Sequence, residues 1–105
     1  MARAKTVMVD LDGVICTEEV FHDRPLAAPI AGAREGLARL RAAGYIIVVY
    51  TARSWSEYRL TKHWLDTNGF DYDAIHMGKP VADIWIDDRA VRFTTWDETL
   101  NTMGL

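Results

Sequence analysis

The sequence predicts a three-layer α/β domain built on a parallel sheet. Three observations predict it. Residues 6–9 and Tyr45–Tyr50 are apolar, largely β-branched runs that read as buried strands. Stretches of helical periodicity lie after each of them, and strand–helix alternation implies right-handed crossovers and parallel pairing. Polar, chemistry-bearing residues then recur at the places where strands end, which in open α/β sheets is where ligands bind.

The first strand ends in Asp10-Leu11-Asp12-Gly13. Side chains alternate along a strand, so Asp10 and Asp12 share a face if the chain stays extended. Two carboxylates about 4 Å apart repel by roughly 4 kcal/mol at an effective dielectric near 20. Such a pair is reconciled by a shared proton or by a cation. Gly13 tolerates unusual φ and close backbone approach. Residues 14–30 contain Pro25 and Pro29 and read as a loop or small hairpin.

From about Ala31 the pattern turns helical, with Ala33, Leu37, Leu40 and Gly44 three or four apart and Gly44 placed as a helix-ending glycine. Tyr45–Tyr50, apolar throughout, reads as a strand covered on both faces and ends in Thr51-Ala52-Arg53. Ser54 and Glu57 form a capping box for a second helix reaching about Thr67. Its stripe is Tyr58, Thr61 and Leu65 with Trp64 beside it, and Asn68-Gly69 stops it. Residues 72–76 read as a short strand, 77–80 as a turn, and 82–86 as a last strand ending in Asp87-Asp88. Phe93, Trp96 and Leu100 are expected to pack under a final turn or short helix. Trp55, Trp64, Trp85 and Trp96 all read as mostly core, and Cys16 as a small buried hydrophobe.

Composition bounds the function. A chain of 105 residues, 50% hydrophobic and 26% charged, suits one globular domain, 1–105. The net charge of −3 gives no basic footprint for nucleic acid. One cysteine allows no internal disulfide, and the three histidines have no metal-binding spacing. No apolar run is long enough to span a membrane, and the first residues do not read as a signal peptide, so a cytoplasmic protein is expected.

Asp10, Asp12, Thr51, Lys79, Asp87 and Asp88 fall at strand ends or beside them. Four carboxylates and one ammonium leave a local charge of about −3, and an all-oxygen site of that kind suits Mg²⁺. A dication together with Lys79 makes a phosphate site. Phosphoryl transfer asks mainly for positioning and charge neutralisation, and a carboxylate in line with phosphorus can act as a covalent nucleophile.

This set resembles the haloacid dehalogenase (HAD) superfamily of phosphohydrolases, with its Rossmann-like, HAD-like sheet. The four motifs match Asp10-Leu11-Asp12-Gly13, Thr51, Lys79 and Asp87-Asp88 in the family's order. Tyr50-Thr51-Ala52-Arg53, Gly78-Lys79-Pro80 and Ile86-Asp87-Asp88-Arg89-Ala90 further resemble small members found among capsule and surface-sugar genes and in phages. The resemblance implies Asp10 as nucleophile and metal ligand. It implies Asp12 as general acid and base, with its carbonyl on the metal, and Thr51 and Lys79 as phosphoryl-binding groups. Asp88 would be a direct metal ligand and Asp87 would act through water.

Residues 14–30 are long enough only for a flap, so a capless member with no cap domain is expected. Phe21, His22 and Arg24 of the flap, and Arg53, are candidate substrate contacts. The expected function is a Mg²⁺-dependent phosphomonoesterase acting on a small phosphorylated metabolite, a sugar phosphate or nucleotide, through an aspartyl-phosphate. The alternatives are a non-catalytic Mg²⁺- and phosphate-binding module of a larger assembly, or a nucleic-acid end phosphatase, which the acidic balance counts against. A signalling receiver domain uses similar residues in a different order. No membrane partner is expected, and a homo-oligomer is one way to complete the open site.

Overall fold

The computed structural model describes residues 4–105. Strand β1 covers Lys5–Asp10, β2 Tyr45–Tyr50 and β3 Ala74–His76. They form one parallel sheet in the order β1-β2-β3, with Lys5 opposite Tyr45, Asp10 opposite Tyr50, and Tyr50 opposite His76. Asp10, Thr51 and the turn after His76 therefore stand at the same end of the sheet. The α-helices are α1 (Ala33–Ala42), α2 (Tyr58–Thr67) and α3 (Trp96–Thr102).

Sequential strand order with right-handed crossovers puts α1 and α2 on one face of the sheet. A single core forms there. Val9, Ile47 and Val49 pack with Leu37 and Leu40 of α1 and with Trp64 and Leu65 of α2. Trp96 of α3 completes it from beyond α1, and its indole N–H donates to the Val14 carbonyl at 2.9 Å. Trp96 lies so close to Gly36 that a Cβ there would sit 2.3 Å from the ring. Gly44 has φ +92°, which explains why α1 ends where it does.

The capping box is formed as expected: Glu57 accepts the Ser54 N–H at 3.3 Å and donates its own N–H to the Ser54 carbonyl at 3.0 Å. It opens a 3-10 turn, Trp55–Glu57, that leads directly into α2. Residues 14–30 are a flap containing a 3-10 helix, Phe21–Leu26. Its base is hairpin-like, with the Thr17 N–H on the Ala28 carbonyl and the Ile30 N–H on the Ile15 carbonyl.

Three expectations need correction. β2 is not covered on both faces: Ile47 and Val49 are buried, but Ile46 is 40% exposed and Met8 of β1, on the same side, 49%. The described helices serve the other face. Residues 82–86 do not form a strand; they run as exposed coil, with Ile84, Trp85 and Ile86 all open to solvent. The apolar run Ile84-Trp85-Ile86 suits a strand, but a strand needs a partner, and this segment pairs with none of the three described strands. Finally, only Trp64 and Trp96 are core, whereas Trp55 and Trp85 are 61% and 53% exposed.

Candidate active site

β1 delivers Asp10 to the rim of the sheet, and the chain turns at once. The Asp10 carboxylate accepts the Leu11 N–H at 2.9 Å, and the Gly13 N–H donates to the Cys16 carbonyl at 2.8 Å. Gly13 takes φ +86°, which a side chain would resist. The turn brings Asp12 back over the sheet end. A cavity of about 410 Å³ opens there, lined by Asp10, Asp12, Glu18, Arg24, Ala52, Arg53 and Val81.

Lys79 stands beside it, its ammonium 3.9 Å from the Asp10 carboxylate. Burial pushes the Asp10 carboxyl up from its ordinary value, against the opposing pull of Lys79. The Lys79 N–H donates to the Thr51 carbonyl at 2.9 Å, so the lysine is indexed to the end of β2. Thr51 is fully buried, and its hydroxyl accepts the Arg53 N–H at 3.2 Å. That contact leaves the hydroxyl hydrogen free to donate elsewhere.

Arg53 is more deeply engaged than its position after the motif threonine suggests. Its side chain is 4% exposed. Nε and Nη2 clamp the two Asp12 oxygens at 3.0 and 2.7 Å, and Nη1 donates to the fully buried Thr61 hydroxyl at 3.1 Å. This is bidentate pairing, which fixes direction as well as charge. Arg53 therefore holds Asp12 and is not a free substrate contact. A second ion pair, Arg24 with Glu57, ties the flap to the start of α2. Glu57 is only 6% exposed.

Cys16 lies under the turn, its thiol 3.7 Å from Asp12, and burial pushes it up to about 12. It is a packed group and not a nucleophile.

The site residues expected from sequence thus divide. Asp10, Asp12, Arg24 and Arg53 line one cavity, with Thr51 and Lys79 alongside. His22 points away, 81% exposed and facing Asp23. Asp87 and Asp88 lie in the exposed coil, where Asp87 accepts the Arg89 N–H. Among the described residues, no three His, Cys, Asp or Glu side chains are grouped to hold a metal ion. The Mg²⁺ donor set is therefore not assembled in this arrangement. Glu18, Glu57 and Thr61 were not singled out from sequence. Glu57 carried a signal as the capping-box acid and Thr61 as a member of the α2 stripe, although neither signal pointed to the site; Glu18 carried none.

No family model matches the chain, and no curated protein matches it. Solved structures do. A crystal structure of a target protein from Vibrio cholerae superposes with a TM-score of 0.72 at 32% identity, over 84% of this chain and 83% of that one. D,D-heptose 1,7-bisphosphate phosphatase from B. bronchiseptica, complexed with magnesium and phosphate, superposes with a TM-score of 0.56 at 19% identity. That match covers 96% of this chain and 64% of the phosphatase. This chain shares the fold of that phosphatase, a Rossmann-like, HAD-like α/β fold with a parallel sheet. A chain of the Pnkp1/Rnl/Hen1 RNA repair complex superposes with a TM-score of 0.62 at 18% identity, over 95% of this chain and 32% of that one. No helix in the described residues is long and apolar enough to cross a membrane.

Proposed function

We propose that this HAD-like protein is a Mg²⁺-dependent phosphomonoesterase working through an aspartyl-phosphate on a small phosphorylated metabolite. The observation that carries the reading is the convergence of Asp10, Asp12 and Lys79 at the carboxyl ends of β1 and β2 around one open cavity.

In this reading Asp10 attacks phosphorus. Lys79, already facing Asp10, draws in the phosphate and offsets its charge. Asp12 donates a proton to the leaving oxygen and later takes one from water. A carboxylate offers about four lone-pair sites, so the Arg53 clamp leaves Asp12 room to act. Thr51 donates its free hydroxyl hydrogen to the phosphoryl group. Mg²⁺, when bound, supplies charge neutralisation. Asp10 and the Asp12 carbonyl would hold it together with Asp88, with Asp87 acting through water. The last two must travel to reach it. The outer edge of β1 has no described strand partner, and the exposed apolar run Ile84-Trp85-Ile86 is suited to dock there as a strand.

The chain is read as a single capless domain whose flap, 14–30, borders the site. The test is hydrolysis of an aryl phosphate. Activity should require Mg²⁺ and vanish in Asp10→Asn, and an inert wild-type protein across a broad phosphate panel would overturn the reading. The exposed position of Asp87 and Asp88 favours a second reading, a non-catalytic phosphate-binding module. Specific binding to a partner protein, unchanged in Asp10→Asn, would support it.

A further inference from the structure

Lys79 has two further neighbours besides Asp10. Its ammonium lies 5.4 Å from the Tyr50 ring centre and 5.7 Å from that of Trp85. Tyr50 in turn meets His76 edge-on at 5.2 Å, His76 meets Trp55 at 6.3 Å, and Trp55 stacks on Tyr58 at 6.0 Å. Rings from β2, β3, the 3-10 turn before α2 and the start of α2 thus form one continuous row, and Trp85, in the coil after Lys79, joins it through the Lys79 ammonium. The row starts at the lysine that faces the proposed nucleophile. Trp55 and Trp85 are each more than half exposed. Large aromatic rings are costly to leave in water, and a contiguous apolar patch with a polar rim marks a binding surface.

We infer that this row is a stacking subsite for the nucleobase of a phosphomonoester whose phosphate lies between Lys79 and Asp10. The inference rests on the phosphatase reading for the position of the phosphate. Three observations favour a base over a sugar ring. The row's most exposed large members, Trp55 and Trp85, offer broad ring surfaces suited to a flat partner. Lys79 joins its aromatic and anionic ends, matching a ligand that is flat at one end and charged at the other. The Arg24–Glu57 pair ties the cavity wall to the 3-10 turn that carries Trp55, so the cavity and the row are joined. Stacking of this kind is tolerant of base identity, and alanine at a stacking position weakens binding about 10-fold. The same chemistry serves a free nucleotide or the terminal base of an oligonucleotide.

The experiment measures binding calorimetrically to Asp10→Asn protein, so that turnover plays no part. The probes are adenosine 5′-monophosphate, ribose 5-phosphate, which lacks only the base, and a 5′-phosphorylated single-stranded oligoadenylate. The nucleotide should bind about 10-fold tighter than ribose 5-phosphate. Trp55→Ala should erase that difference and Trp55→Phe restore most of it. An oligoadenylate that binds tighter than the mononucleotide assigns the subsite to chain ends, and one that binds no tighter assigns it to free nucleotides. Equal binding of nucleotide and ribose 5-phosphate, or a difference that survives Trp55→Ala, overturns the inference. Base-dependent binding by a wild-type protein without hydrolytic activity would retain the subsite while removing the phosphatase reading.

Discussion

The Arg53–Asp12 pair makes an asymmetric prediction about stability. Asp12→Asn removes the carboxylate and leaves a guanidinium whose side chain is 4% exposed. Breaking a buried pair in that direction costs about 3–5 kcal/mol, because the surviving charge cannot reach water. Asparagine keeps one acceptor oxygen, which places the cost at the lower end of that range. Arg53→Met is different. The Asp12 side chain is 20% exposed and opens onto the cavity, so its charge can hydrate once the clamp is gone. The remaining loss is the partner of the buried Thr61 hydroxyl and the pairing itself, about 1–2 kcal/mol. Equilibrium urea unfolding at pH 7 without Mg²⁺, followed by circular dichroism, should rank Asp12→Asn below Arg53→Met by at least about 1 kcal/mol. The double variant should cost less than the sum of the singles. An Arg53→Met cost equal to or above that of Asp12→Asn would refute the argument that burial of the cation dominates.

Gly36→Ala should destabilise by about 1–3 kcal/mol through overpacking, since the new methyl would meet the Trp96 ring at 2.3 Å; thermal unfolding measures it. Glu57→Ala should lose both the capping box and the Arg24 pair, with a drop in stability and faster proteolytic cleavage within residues 14–30. Cys16 should resist a thiol reagent at pH 8 and label only on unfolding, because it is buried and its thiol is pushed up to about 12. Asp73 is held below the ordinary carboxylate range by Arg41, which meets both its oxygens at 2.8 Å, and by the Ile47 N–H. A depressed carboxyl contributes stability above its unfolded value that is lost as pH falls through the folded one. The Asp73→Asn deficit, clear at pH 7, should therefore close as pH drops below about 4.

Local rules made much of this molecule legible. β2 ends where its apolar run ends, the Ser54–Glu57 box opens α2, and Gly44 and Gly69 close the two long helices. Trp96 and Leu100 found their place because a burial signal needs only some core to join. What failed was whatever depended on a partner. Residues 82–86 carry a strand-like apolar run, yet such a run does not say which edge receives it. Trp55 and Trp85 looked like core because hydrophobicity cannot distinguish a buried ring from one kept at the surface. Asp10 and Asp12 followed from the end of the first strand, whereas Lys79 was placed just before, and Asp87 and Asp88 at the end of, the strand that did not form. Arg53 was noticed for its neighbour in sequence, but its bidentate grip on Asp12 spans 41 positions and no spacing rule reaches that far.

Among the described residues, β1 has a ladder on one side only, with β2. A flank without a ladder accepts an extended backbone that arrives. The carboxylate at the tip of this strand is therefore borne by an edge of the sheet. Whatever stiffens that flank, from within the chain or from a second molecule, also steadies Asp10, so amide hydrogen exchange along Lys5–Asp10 reports on the readiness of the whole centre.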